Sequence, residues 1–194
     1  MMKERKRMKI LQCLKGVILT LVTRHGSNSK RYWNLRWRMG YDVEKGLQKY
    51  RNRWKSQIAQ LMQEQNCESI LDVGCGKAWL RNLSGYLGSD MSLEVLRHNG
   101  LDSFLVADVT QKLPLPSKSF DASTSFCFLM HQTPEKVLVA TSEMRRVTKK
   151  LIVLKELTKN ENPDNVPLKY HCFMHDYKEL FKDFDGRLVM LQWK

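Results

Sequence analysis

Short apolar runs alternate with longer mixed segments through the central part of the chain. The runs that predict strands are residues 70–73, 86–90, 103–107, 120–130 and 151–154. The segments between them carry helix signals, of which Thr133-Pro134-Glu135 is the clearest, because proline is favoured at the first position of a helix. This rhythm predicts an α/β fold with a doubly wound, mostly parallel sheet and helices on both faces.

The first strand runs directly into a glycine turn. Gly74 and Gly76 follow Asp72 closely, and a helix-like segment starts at Ala78. Glycine allows the backbone to approach a ligand, and the start of a helix presents free N–H groups. The window therefore predicts a ligand crevice, with a plain strand-to-helix turn as the alternative.

Acidic residues also follow the next two predicted strands. Asp90 ends the second strand and Asp108 follows the third. The carboxyl ends of parallel strands meet at one edge of a sheet, so we expect Asp72, Asp90 and Asp108 to point into one crevice. An acid in the position of Asp90 accepts hydrogen bonds from ribose hydroxyls, and Asp108 is placed for the adenine end of the same ligand.

Composition fits one globular domain with extensions, because 42% of the 194 residues are hydrophobic. The five cysteines are odd in number and scattered, which is typical of reduced thiols in a cytoplasmic protein. They are Cys13, Cys67, Cys75, Cys127 and Cys172.

The net charge of +13 is confined to the N-terminal quarter. Residues 1–55 contain 16 Lys and Arg against three acidic residues, whereas residues 56–194 contain 17 of each sign. An anionic partner should therefore meet residues 1–55.

Residues 1–24 combine a basic run with the apolar stretch 10–22 and predict an amphipathic helix. This stretch of thirteen residues, which Lys15 interrupts, is too short to span a bilayer. Two interpretations stay open: the helix packs on protein, or it makes peripheral contact with an anionic membrane surface through residues 8–24.

Residues 25–65 are rich in Arg, Lys, Trp and Tyr and predict a helical cap. We favour aromatic side chains that pack down onto the main domain, with the charges in solvent. The alternative is an RNA-binding platform formed by residues 1–55, because bases stack on aromatic rings while cations meet phosphates.

Residues 69–156 together resemble the class I, Rossmann-like S-adenosylmethionine-dependent methyltransferases. The resemblance rests on the glycine turn at 70–76, Gly88-Ser-Asp-Met-Ser92, Ala107-Asp-Val109, the Leu-Pro-x-Pro and Ser-Phe-Asp elements within 113–121, and residues 126–131. It implies an S-adenosyl-L-methionine cofactor and a catalytic domain at residues 66–194. A dinucleotide site is disfavoured, because Trp79 stands where its third glycine belongs.

The resemblance also implies roles for individual residues. Asp72, Gly74 and Gly76 would line the methionine side, Asp90 would bind the ribose, Asp108 with Val109 the adenine, and Phe126 would lie beside the sulfonium. The implied cofactor residues are Asp72, Gly74, Cys75, Gly76, Asp90, Met91, Asp108, Val109 and Phe126. Their position adds Trp33 and Arg36 of the cap, the arginine meeting the cofactor carboxylate.

Two departures from the family pattern stand out. Ala78 replaces a third glycine, so cofactor affinity would suffer if alanine cannot take the required backbone angles. After the late strand predicted at 187–193, the antiparallel hairpin expected to complete the sheet is also incomplete.

The candidates for acceptor chemistry are histidines. We predict His131, after the fourth strand, as a general base, and His171, His175 and Tyr177 at the border of the acceptor pocket. A structural role for His131 is the alternative. No metal site is predicted, because the His and Cys residues near 171–176 have no second ligand pair elsewhere.

These features favour a methyltransferase that acts by in-line transfer on a small molecule or a glycan or lipid precursor, because residues 56–194 are neutral and carry no appended recognition module. Two alternatives stay open: an RNA methyltransferase that uses the basic segment, and a non-catalytic cofactor-binding or scaffold subunit.

Overall fold

A computed structural model describes residues 29–38, 48–98, 100, 103–158 and 172–192. The chain divides into two units, Met1–Gly46 and Leu47–Lys194. The segment 1–24, for which a helix is predicted, and His171 lie outside the described residues.

In the first unit, the described residues form helix α1, Lys30–Arg38. The Ser29 hydroxyl accepts a hydrogen bond from the Tyr32 N–H at 3.1 Å, which caps the start of the helix. Tyr32 and Trp33 pack edge to face, with ring centroids 5.3 Å apart.

The second unit is built on a parallel sheet of six strands in the order β3-β2-β1-β4-β5-β6. The strands are β1 Ile70–Val73, β2 Tyr86–Asp90, β3 Phe104–Val106, β4 Phe120–Phe126, β5 Thr148–Lys155 and β6 Arg187–Met190. The helices are α2 Gln48–Glu64, α3 Leu93–His98, α4 Pro134–Val147 and α5 Tyr177–Leu180. The predicted α/β class with a doubly wound sheet is confirmed.

Helices cover both faces of the sheet. Successive side chains of a strand point to opposite sides, so a buried strand has apolar side chains on each face. Leu71 and Val73 of β1 belong to the same buried cluster as Met144 of α4. Ile70 belongs to a second cluster, which includes Trp54 of α2. The alternation along β1 thus separates two hydrophobic layers.

Helix α2 carries the aromatic residues that allowed an RNA-binding interpretation. Trp54 is only 2% exposed and lies in one cluster with Ile58 and Met62 of the same helix. Tyr50 stacks on Trp54, with ring centroids 5.6 Å apart. In this part of the basic segment, the aromatic side chains therefore form core.

The connection between β1 and β2 differs from the sequence prediction. No helix begins at Ala78. Instead, residues 76–85 form consecutive turns, held by bonds such as Ala78 N–H to Cys75 C=O at 2.8 Å and Arg81 N–H to Ala78 C=O at 3.1 Å. Ala78 has φ +49°, which an α-helix cannot contain. The expectation of a helix N-terminus after the glycine turn was wrong for this physical reason.

The last strand also pairs in its own way. β6 runs parallel to β5, with Leu151 opposite Arg187 and Leu154 opposite Met190. Among the described residues, no antiparallel strand accompanies it. The buried Lys155 amine donates to the Leu191 carbonyl at 2.8 Å and fixes the end of β6 to β5.

Two further findings concern the described residues alone. Cys67, Cys75, Cys127 and Cys172 are free thiols. Within the same ranges, none of the helices has the length and apolar character needed to span a membrane.

Candidate active site

A cleft lies at the carboxyl ends of β1, β2 and β3. The loop after β4 forms the remaining wall of the cleft. The cleft therefore lies where the strand order reverses, since β2 and β3 follow on one side of β1 and β4 to β6 on the other. The lining residues are Val73, Gly74, Ser89, Asp90, Met91, Ala107, Asp108, Val109 and Phe128. The sequence had singled out Gly74, Asp90, Met91, Asp108 and Val109 from this set.

The glycine turn needs glycine at its first position. Gly74 has φ +66°, in the left-handed region that side chains disfavour. A Cβ built on Gly74 would overlap the ring of Phe128, which lies directly against the backbone there. Backbone and aromatic ring thus meet without any intervening side chain.

The turn continues through two more residues with positive φ. Gly76 has φ +47° and Ala78 has φ +49°. Ala78 is fully buried beside Cys75 and Leu96. Alanine thus does take the left-handed angles that the sequence comparison with the family put in question, at an expected cost in backbone strain.

Asp90 connects the turn to β2. Its carboxylate accepts the Gly76 N–H at 3.2 Å and the Ser92 N–H at 2.9 Å. Burial raises the pKa of Asp90, and the hydrogen bonds from Ser92, Gly76 and Met91 oppose that rise. A carboxylate has about four acceptor positions, so acceptor capacity is left for a ligand.

Asp108 and Val109 close the far end of the cleft. The Asp108 carboxylate accepts the Thr110 N–H at 2.9 Å and the Thr110 hydroxyl at 2.7 Å, so one of its oxygens is fixed by a local turn. Val109 is 3% exposed and packs into the core below. The pair offers a carboxylate beside an apolar floor, a surface suited to a planar base with exocyclic donors.

Asp72 lies beneath the cleft instead of in its wall. It is 1% exposed and accepts a hydrogen bond from the Tyr86 hydroxyl at 3.0 Å. Burial raises the pKa of Tyr86, and the neighbouring Asp72 raises it further. Burial likewise raises the pKa of the Cys75 thiol, which is 5% exposed. Asp72, Cys75 and Tyr86 therefore form a buried polar support for the glycine turn.

Phe126, which the sequence suggested for the sulfonium, faces another way. Its ring packs on Trp79 at 4.5 Å and on Trp54 at 6.0 Å between centroids. Cys127 follows with φ +51° and turns the chain, so that Phe128 reaches the cleft. Sequence alternation alone could not reveal this, because a residue other than glycine makes the turn.

His131 lies at the end of a 3-10 turn formed by Leu129–His131. Its ring is 6% exposed, and the Nδ1 atom lies 3.7 Å from the Cys172 thiol. The His175 ring contacts the Gln132 carbonyl through Nε2 at 3.0 Å, and Tyr177 is 2% exposed within the core. These groups gather behind the β4 loop as a mostly buried cluster.

Three other predicted site residues lie outside the second unit or outside the described part of the chain. The Arg36 side chain and His171 are outside the described residues, and Trp33 lies in the first unit. Across the described ranges, no group of three His, Cys, Asp or Glu side chains is arranged to hold a metal ion.

Part of the chain is similar to a known protein family. A family model described as a methyltransferase domain matches residues 71–151, which contain β1 to β4, α4 and the whole cleft. No curated protein sequence matches the chain.

Solved structures share the fold at low sequence identity. A SAM-dependent methyltransferase from Archaeoglobus fulgidus is 20% identical with a TM-score of 0.56, and the match covers 71% of this chain and 69% of that one. Magnesium protoporphyrin IX methyltransferase from Synechocystis PCC 6803, solved with bound SAM, is 15% identical with a TM-score of 0.56. That match covers 74% of this chain and 70% of the other. A SAM-bound amino pentose methyltransferase from Micromonospora echinaspora is 18% identical with a TM-score of 0.53. Its match covers 66% of this chain and 59% of the other.

At these identities the structural likeness establishes the fold, and the family model establishes the type of domain. Residues 71–151 thus match a methyltransferase domain, and the fold around them is one that solved SAM-dependent methyltransferases share.

Proposed function

We propose that this methyltransferase acts on a small molecule or on a glycan or lipid precursor, and that the cleft between β1, β2 and β3 holds the adenosyl part of the cofactor. One observation carries the second half of the proposal: Asp90 and Asp108 line a single cleft whose near end is the glycine turn. A nucleoside presents hydroxyls at one end and a base with donor groups at the other, which matches two carboxylates at the ends of adjacent strands.

The residues in the cleft fit this ligand chemically. Asp90 would accept the ribose hydroxyls, and Asp108 with Val109 would hold the adenine. The methionine part would lie along the glycine turn, at Gly74 and Gly76.

Bound S-adenosylmethionine supplies a methyl group that is already activated. The protein then has to align an acceptor and exclude water. We propose His131 as the general base for the acceptor, because it ends the 3-10 turn that directly follows Phe128 of the cleft wall.

Charge supports the acceptor class. Residues 56–194 contain as many acidic as basic residues, and the two side chains that we assign to the adenosyl part, Asp90 and Asp108, are carboxylates. Such a surface does not attract a polyanion. The free thiols among the described cysteines accord with a cytoplasmic location, which we propose with the function.

Isothermal titration with S-adenosylhomocysteine tests the proposal directly. We expect binding by the wild-type protein and much weaker binding by Asp90→Ala. No heat at millimolar ligand, with the variant identical to wild type, would refute the proposed site. Binding without turnover across an acceptor library would instead favour a non-catalytic cofactor-binding subunit.

RNA methylation is the second candidate. Lys30, Arg31 and Arg38 of α1 are exposed, and residues 1–55 carry the whole net charge of +13. Lysine and arginine side chains that meet phosphates supply most of the affinity of nonspecific RNA binding. The charge of this segment is what favours this candidate over others.

A further inference from the structure

We propose that Glu156 is a positioning residue that fixes the wall of the cofactor cleft formed by Phe128 and the turn that ends at His131. The inference concerns how the site is held in shape. It rests on the proposed function only where it refers to cofactor affinity.

The side chain of Glu156 is fully buried and collects four hydrogen bonds. Its Oε1 atom accepts the Ser125 hydroxyl at 2.7 Å, the Phe128 N–H at 3.1 Å and the Leu129 N–H at 3.2 Å. Its Oε2 atom accepts the Met130 N–H at 3.1 Å. Three consecutive backbone amides of the β4 loop therefore converge on one carboxylate.

These amides are the ones that a helical turn cannot satisfy by itself. The first N–H groups of a turn have no partner within it, and Phe128 at the N-cap of the turn makes no capping bond with its side chain. Glu156, directly after β5, supplies the cap from the neighbouring strand. Hydrogen bonds to a carboxylate are stronger than bonds between neutral groups.

The loop would not keep this shape without an external hold. Cys127 has φ +51°, a strained conformation for a residue with a side chain. The Cys127 N–H donates to the Lys155 carbonyl at 2.9 Å, so two adjacent residues at the end of β5 hold both sides of the turn. Phe128 is thereby placed against Gly74.

Burial raises the pKa of Glu156, and its four donors oppose that rise. Protein stability alone does not require an acid at such a position, because burying a carboxylate is costly. The arrangement has a clear benefit at the cleft, whose wall is built from the backbone that the carboxylate binds.

The test compares Glu156→Gln with Asp121→Asn. Asp121 also accepts a backbone amide, that of Glu68 at 3.0 Å, but it lies near the start of β4, at the opposite end of the sheet from the cleft. For each protein we would measure amide hydrogen exchange across residues 126–131 and the Kd of S-adenosylhomocysteine.

Glu156→Gln should accelerate exchange at residues 128–130 and raise the Kd about tenfold, which corresponds to about 1.4 kcal/mol. Asp121→Asn should leave both values unchanged while lowering the melting temperature. If Glu156→Gln fails to fold, Ser125→Ala provides a milder change, because it removes one of the four donors, and it should shift both readouts in the same direction.

Exchange at residues 128–130 that is as slow in the folded variant as in wild type would overturn the inference. Equal effects of Glu156→Gln and Asp121→Asn on the Kd would overturn it as well, because both would then reflect general destabilisation. A wild-type protein that does not bind S-adenosylhomocysteine would refute the proposed function, and the exchange comparison would still decide the role of Glu156 in the loop.

Discussion

Asp90 is a buried carboxylate that its own backbone already holds. The Gly76 and Ser92 amides keep it oriented towards the cleft, so a ligand meets a preorganised acceptor. Preorganisation has a cost, because burial raises the pKa of Asp90, so this carboxylate takes up a proton at a higher pH than an exposed aspartate does.

Asp90→Asn should raise the Kd of S-adenosylhomocysteine roughly 10–100-fold at neutral pH, since a hydrogen bond to a charged group contributes about 1.5–3 kcal/mol. Wild-type affinity should fall as the pH drops through the raised pKa of Asp90, because protonation removes acceptor capacity. Titrations between neutral and acidic pH should show a steeper loss for wild type than for Asp90→Asn. Equal slopes would assign the pH dependence to another group.

Gly74→Ala should destabilise the protein for two separable reasons. The positive φ costs about 1–3 kcal/mol for a residue with a side chain, and the new methyl group overlaps Phe128. In the background of Phe128→Ala, only the first cost should persist. Denaturant unfolding of the two single variants and the double variant measures the difference, and strict additivity would show that ring and turn are not in contact.

Ala78→Gly should change the free energy of unfolding by no more than about 0.5 kcal/mol, because relief of left-handed strain, roughly 1–2 kcal/mol, offsets the lost methyl burial and the added freedom of the unfolded chain. Ala140 is equally buried, but it lies inside α4. Ala140→Gly should therefore cost about 2 kcal/mol. Thermal unfolding distinguishes the two, and equal losses would contradict the left-handed conformation of Ala78.

At this scale the sequence was informative where chemistry demanded a residue type. Asp90 and Asp108 could be predicted to line one cleft, because the carboxyl ends of neighbouring parallel strands meet at one edge of the sheet. Phe128 could not be found, because its place depends on the backbone of Cys127. Glu156 gave only a faint signal, an acid directly after the apolar run of β5.

Helix α2 shows how one element can mislead when its composition is considered alone. Its sequence combines three basic residues with Tyr50 and Trp54, as in a nucleic-acid platform, if residues 50–55 are taken in isolation. In the structure, the rings turn inward, and Lys155 lies 5.5 Å from the Trp54 ring centroid. The element belongs to the hydrophobic layer over β1 and β4.

Trp54→Ala should lower the free energy of unfolding by about 3–5 kcal/mol, as is usual for a large aromatic side chain lost from a core. Asn52 on the same helix is exposed, so Asn52→Ala should stay within about 0.5 kcal/mol of wild type. Chemical denaturation provides both values. A small effect of Trp54→Ala would reopen the stacking role.

The strands were predictable as elements because each is a short apolar run ended by polar residues. The segment after the glycine turn was not. Ala78, Leu80 and Leu83 have helix-compatible side chains, but the chain has only twelve residues, 74–85, in which to return from the end of β1 to the start of β2. Turns that include a left-handed residue fit into a connection of this length. The tertiary constraint of joining β1 to β2 therefore overrides the local helix propensity.

At the scale of the whole molecule, charge and fold are separate properties. The sheet order and the cleft follow from residues 69–156, whose charges are nearly balanced within a neutral region, whereas the basic excess lies in residues 1–55. The sequence could therefore indicate the fold and the cofactor without indicating the acceptor.

Replacement of Lys30, Arg31 and Arg38 by alanine should weaken retention on RNA if the basic segment binds it, with a smaller loss of affinity per decade of salt than wild type shows. S-adenosylhomocysteine binding should stay unchanged and serves as the control for folding. Wild-type protein that elutes from RNA at low salt, in the same fractions as the triple variant, would remove RNA from consideration.

The connection between β1 and β2 has a consequence for how chains of this kind can change length. Parallel neighbours need a crossover of a dozen or more residues, and residues 74–85 provide twelve. Its last residue, Gly85, is held so closely to the Glu68 backbone that no Cβ would fit. Insertions can be absorbed at the exposed residues Arg81 and Asn82, but a deletion would pull β2 out of register with β1. In divergent descendants, this connection is therefore free to grow and has no slack to lose.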